Sequence, residues 1–117
     1  MSRRDLSGAV DFGVLDRTTG GDDAVAEEVL GLFVEQAAMW SAMLDPAIEG
    51  WRDAVHTIRG AAAGIGAEAL AVVCAEAEAA NPSMAGPALG RVRDALNGAL
   101  ADVAAWRHEL MLRSLRA

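Results

Sequence analysis

Hydrophobic positions recur along almost the whole chain at intervals of three and four, the spacing that puts side chains on one face of a helix. Asp11 to Arg17 predicts a short first helix, closed by the turn residues Thr18-Thr19-Gly20-Gly21. A long helix then begins near Asp22 or Asp23, carries Val25, Val29, Leu32, Gln36, Met39 and Met43 along one face, and stops around Asp45-Pro46. The third, from about Glu49 to Ala63, buries Trp51, Val55, Ile58 and Ala62, and leaves Arg52, His56, Arg59 and Ala63 on an exposed stripe offset by one residue. Gly64 and Gly66 are expected to turn the chain, because glycine accepts the left-handed conformation that closes a helix. A fourth helix, Ala67 to about Ala80, faces Leu70, Val73 and Ala77 inward and ends at Asn81-Pro82-Ser83. The last, about Pro87 to Leu112, holds Leu89, Val92, Leu96, Ala99, Val103, Trp106 and Leu110 in one register. No stretch alternates as a strand does. Short connections make neighbours antiparallel, so the expected fold is all-α, an antiparallel up-down-up-down four-helix bundle with a short extra N-terminal helix. Residues 1–9 read as a flexible N-terminus and residues 10–117 as the domain.

Composition narrows the function classes. A chain of 117 residues, 53% of them hydrophobic, is one domain able to bury a core without disulfides or metal. Seventeen acidic against ten basic residues, a formal charge of −7, argue against non-specific nucleic-acid binding, which needs clustered cations. The single cysteine, Cys74, reads as a small core residue and gives no sign of an oxidising compartment. Met1-Ser2-Arg3-Arg4 has the paired arginines of an export signal, but Asp5 and Asp11 break up the stretch beyond them and no apolar region appears, so a cytoplasmic location is expected. The most apolar stretch, Ala61 to Ala75, is broken by Glu68 and falls short of the roughly 20 residues a membrane span takes. Trp40, Trp51 and Trp106 read as core or rim residues, and Met39, Met43, Met84 and Met111 as core or loop.

Candidate chemistry concentrates at His56-Thr57-Ile58-Arg59-Gly60-Ala61-Ala62-Ala63-Gly64-Ile65-Gly66-Ala67. Arg59 and Gly60 sit one helical turn beyond His56, so the imidazole has a cation on one side and bare backbone on the other. Glycine inside a helix costs about 1 kcal/mol relative to alanine, and alanine is used freely nearby. Helical side chains lean toward the N-terminus, so a bulky residue at 60 would overhang the turn carrying His56; Gly60 keeps the imidazole accessible. Other readings are weaker. Asp53 and His56 have the carboxylate-x-x-histidine spacing of di-iron bundles, but Ala105 stands three before His108, so the second copy such a site needs is missing. A Cys74–His56 nucleophile pair lacks an orienting group and an oxyanion donor set. His108 reads as a solvated residue near a helix C-terminus.

The segment from His56 to Glu78 resembles the histidine-containing phosphotransfer (HPt) domain of bacterial phosphorelays. The family's pattern is matched by His56, Ile58, Arg59, Gly60, Ala61, Ala62, Gly66, Ala67, Leu70, Cys74, Ala77 and Glu78. More weakly, Asp11-Phe12-Gly13-Val14-Leu15 and Leu30-Gly31-Leu32-Phe33 are similar to its amino-terminal helices. The resemblance covers about residues 10 to 80 by pattern and the last helix by architecture. Arg59 replaces the commoner lysine, keeping the charge and adding a fork suited to phosphate oxygens; Ala77 replaces a larger apolar residue.

The resemblance implies a phosphoryl carrier. His56 would be the phosphoacceptor, attacking through Nε2, with Nδ1–H held by Glu78; a free histidine, with a pKa of about 6.5, is largely neutral at cytoplasmic pH. Arg59 would pair with the phosphoryl group. No Walker A sequence or kinase-like glycine loop is present, so ATP is not the expected donor. Instead the partners implied are response-regulator receiver domains, which bring the phosphoaspartate and Mg²⁺, with a hybrid histidine kinase as a further partner. The protein would have no cofactor of its own, and a monomer is expected. Arg52 and Arg59 would complement the receiver's acidic pocket, and Phe12, Leu15, Ala63 and Ile65 are candidates for an apolar docking surface. Two readings stand beside this one: an HPt-like adaptor that docks a kinase or receiver without carrying phosphate, and the phosphoacceptor domain of a histidine kinase system.

Overall fold

In a computed structural model, which describes residues 8–116, the chain forms five helices: α1 (Phe12–Thr18), α2 (Asp23–Met43), α3 (Trp51–Ile65), α4 (Glu68–Ala79) and α5 (Ala85–Arg116). The expected flexible segment 1–9 lies mostly outside the described residues. Helices α2 to α5 close a four-helix bundle in which each packs on the next and α2 also packs on α5, while α1 lies against α3. No strand occurs among the described residues. The 32 residues of α5 give a rod about 48 Å long at 1.5 Å per residue, which accounts for the 52 × 23 × 21 Å extents.

Local chemistry sets the helix ends. Asp22 caps α2, its carboxylate accepting from the backbone N–H groups of Ala24 (2.9 Å) and Val25 (3.2 Å). α3 ends on Gly66 at φ 83°, where Ala67 N donates to Ala62 O (2.8 Å) and Gly66 N to Ala63 O (3.3 Å), the paired bonds of a left-handed helix cap. Gly64 departs from the expectation: it lies inside α3, which runs to Ile65, so Gly66 alone makes the turn. The last helix starts earlier than Pro87 and continues past Leu112. Proline in a first turn removes an N–H that has no helical partner there, so Pro87 does not delay the start.

The face of α2 turned to the core is Ala26, Leu30, Phe33, Ala37 and Trp40, not the stripe from Val25 to Met43. The two stripes run one residue apart with the same four-three spacing, and only the one holding Phe33 and Trp40, packed edge to face at 5.7 Å, is buried. Leu32 and Met39 are 54% and 66% exposed. Met84 and Met111 are also exposed, so these methionines are not core residues, whereas Trp40, Trp51 and Trp106 are buried.

α1 is tied down at its start. Phe12 stacks on Trp106 of α5 with centroids 4.8 Å apart, Asp11 N donates to Gly66 O (2.8 Å), and Val10 N donates to the carboxylate of Asp102 (3.1 Å), a fully buried acid in α5. Among the described residues, no helix is long and apolar enough to cross a membrane.

Candidate functional site

The buried side of α3, Trp51, Val55, Ile58, Ala62 and Ile65, fixes the helix against the bundle and leaves the neighbouring stripe facing outward along α4. His56 stands on that stripe with 68% of its side chain exposed. Its Nδ1 lies 2.9 Å from Oε1 of Glu78, which projects from the last turn of α4 and is 22% exposed. The other oxygen of the same carboxylate, Oε2, meets Nη1 of Arg59 at 3.1 Å. One carboxylate therefore holds both the imidazole and the cation one turn beyond it.

A carboxylate only accepts, so the hydrogen bond across the 2.9 Å contact is donated by Nδ1–H, which in a neutral ring leaves the lone pair on Nε2. Nη2 of Arg59 also comes within 3.4 Å of Nδ1, but both atoms then carry hydrogen, and the approach follows from their shared hold on Glu78.

Gly60 is exposed, and a Cβ built on it would meet nothing within 4 Å. The fold itself does not ask for glycine there. Further along the same face, Ala63 is exposed and borders a hollow of about 230 Å³ lined also by Asp11, Val14, Gly66, Glu68 and Ala71. Phe12, Leu15 and Ile65, expected to contribute to a docking surface, are buried instead: stacking on Trp106 and the turn at Gly66 fold α1 onto the bundle. Arg52 is also occupied otherwise than expected. Its guanidinium donates to the main-chain oxygens of Glu78 (2.6 Å) and Ala80 (3.1 Å) and lies over the Trp51 ring at 4.3 Å.

Cys74 sits one turn before Glu78, fully buried; burial, with the Glu78 carboxylate adding to it, pushes its thiol up to about 11. Since the thiolate is the reactive form, a thiol reagent at pH 8 is expected to label Cys74 at least about 100-fold more slowly in the folded protein than in urea. Equal rates would show an accessible thiol. His108 lies elsewhere, exposed along α5 beside a hollow of about 530 Å³ bordered by Asp23, Glu27 and Arg107. Arg107 there is paired with Glu27 at 2.6 Å, a contact that raises its already high pKa. Among the described residues, no three of His, Cys, Asp and Glu converge as metal ligands would.

The site is thus an exposed histidine on a bundle helix in contact with a carboxylate from the next helix, and residues 28–106 match the family model described as Hpt domain. The chain belongs to the Hpt domain family, whose members work in two-component signalling as phosphocarriers that interact with kinases and response regulators. Among solved structures it is similar to the histidine phosphotransferase ShpA from Caulobacter crescentus, with 54% identity over 92% of this chain and 99% of that one and a TM-score of 0.82. No curated protein matches the sequence. Its function is accordingly phosphotransfer in two-component signalling.

Proposed function

We propose that the protein relays a phosphoryl group between receiver-domain aspartates through a phosphohistidine at His56. The observation that carries this reading is the bond from His56 Nδ1 to Glu78, made by a side chain that is otherwise open to solvent. In the forward step the Nε2 lone pair attacks phosphorus, the N–P bond forms, and the aspartyl P–O bond breaks with its electrons returning to the receiver's carboxylate. The ring then carries the phosphoryl group on Nε2 and a proton on Nδ1, and the positive charge it gains lies against the Glu78 carboxylate. Arg59, already beside the ring, pairs with the phosphoryl oxygens, a charge-assisted contact worth about 1.5–3 kcal/mol when well formed. Phosphoryl transfer depends mainly on positioning and charge stabilisation. The receiver brings Mg²⁺ and the activated phosphate, so the chain needs neither an ATP site nor a cofactor of its own.

The test is incubation with a receiver domain phosphorylated by acetyl phosphate in Mg²⁺. The expected product carries an acid-labile, alkali-stable label on the peptide containing His56; a label stable in acid, or none from any receiver, would end the reading.

Gly60 provides a separate check, because the fold and the chemistry ask for opposite things. Gly60→Ala is expected to raise stability by about 0.5–1 kcal/mol, read as a higher midpoint in thermal circular dichroism. Gly60→Leu should keep the helix and slow transfer at least about tenfold, since its side chain overhangs the turn of His56. Parent-like transfer in the leucine variant would remove the steric role.

A further inference from the structure

Glu78 is the last residue but one of α4, and α4 ends without a left-handed glycine: its C-cap, Ala80, is extended at φ −69°, ψ 145°. The final turn of a helix frays unless its carbonyl groups find partners. A carboxylate carried on a fraying turn would not stay 2.9 Å from an imidazole on another helix. The partner comes from α3. Arg52, one turn before His56, sends one guanidinium nitrogen to the main-chain oxygen of Glu78 (2.6 Å) and another to that of Ala80 (3.1 Å). Its plane rests on Trp51, whose ring is buried in the core, so the cation is held from behind while it grips the end of α4. Arg52, His56 and Arg59 thus lie on one stripe of α3 and all reach the same turn of α4, the first by its backbone and the other two by the Glu78 carboxylate.

We propose that Arg52 is a positioning residue of the phosphotransfer site: by holding the main-chain oxygens of Glu78 and Ala80 it fixes the turn whose carboxylate selects the Nδ1–H tautomer of His56. This rests on the reading of His56 as the phosphoacceptor. It assigns Arg52 a task inside the molecule, and the contact works through backbone atoms, so Arg52 touches neither the imidazole nor the phosphoryl group.

The molecule contains its own control. Arg93 in α5 also holds a helix end, that of α2, its Nη2 donating to the main-chain oxygens of both Ser41 (3.2 Å) and Leu44 (2.9 Å), on an element that carries no part of the site. The tautomer of His56 is read by long-range ¹H–¹⁵N correlation at a pH where the ring is neutral, in the protein alone, and transfer is read separately with a phosphorylated receiver. Arg52→Gln is expected to move His56 from the Nδ1–H form toward the Nε2–H form and to slow transfer about tenfold. Arg93→Gln should lose thermal stability and leave both readouts as in the parent. Should Arg52→Gln not fold, Arg52→Lys, which keeps the charge and loses the two-armed fork, should shift the tautomer in the same direction by less. The proposal is overturned if the folded Arg52 variant keeps the parent's tautomer, or if Arg93→Gln shifts it as far. Because the tautomer is measured without a receiver, it decides the role of Arg52 even if phosphate were to travel by another residue.

Discussion

His56→Gln is expected to bring labelling by a phosphorylated receiver down by at least about a thousandfold, to the background of the assay, since the attacking lone pair is removed and no neighbour can replace it. Glutamine keeps a polar side chain of similar reach that can still meet Glu78, but its amide nitrogen is no nucleophile. Cys74, the other nucleophilic group nearby, is buried and protonated. Stability should scarcely change, within about 0.5 kcal/mol, because the replaced side chain is largely solvated and Glu78 retains Arg59. The measurement pairs an acid-labile label with a thermal melt, so loss of transfer in a folded protein is separated from loss of the fold. The sequence contains one other histidine, His108. A variant that labels as well as the parent would move the phosphoacceptor away from α3.

The largest effect on the fold is expected at Gly66. At φ 83° an alanine would pay about 1–2 kcal/mol for the left-handed backbone. Its Cβ would also collide with the carbonyl oxygen of Asp11 and come within 3.0 Å of the Val14 Cβ. Relief requires α1 to lift away, weakening the bond from Asp11 N to Gly66 O, worth about 1 kcal/mol. Gly66→Ala should therefore lose on the order of 3 kcal/mol, a drop of roughly 10 °C or more in melting temperature for a domain of this size. Gly64→Ala is the matched comparison: it lies within the helix, nothing stands within 4 Å of its added Cβ, and the substitution should be neutral or stabilising. Equal melting temperatures for the two variants would show that α1 does not lean on this turn.

Much of this arrangement was legible in the residues because its signals are local. His56, Arg59 and Gly60 share one helix, so spacing alone puts them side by side. Glu78 is 22 positions on, and only the likeness to a known pattern pointed to it; the structure places its carboxylate on both His56 and Arg59. The clamp made by Arg52 was not legible, since its acceptors are main-chain oxygens, which every residue possesses and no sequence pattern marks. In α2 the difficulty was of another kind. Two apolar stripes of equal period lie side by side, and period cannot choose between them; the bulk of Phe33 and Trp40 does, because burying those rings removes the larger area from water. Asp102 did leave a signal: with Ala99 and Trp106 it keeps the three-four spacing of the buried side of α5, an acid in an apolar register. Its burial is explained by an acceptor being needed for Val10 N, which anchors the approach to α1.

The guanidinium grips at Arg52, Arg93 and Arg107 each depend on one planar head reaching two acceptors or chelating one oxygen twice, and every one of the ten basic residues in the sequence is arginine. With no lysine side chain to modify, acetylating or amine-coupling reagents find no ε-amino group anywhere on the bundle. Carbodiimide coupling of the bundle's carboxylates to a docked receiver's amines is the side-chain route to covalent capture that remains, and it leaves the cations that organise the helix ends untouched.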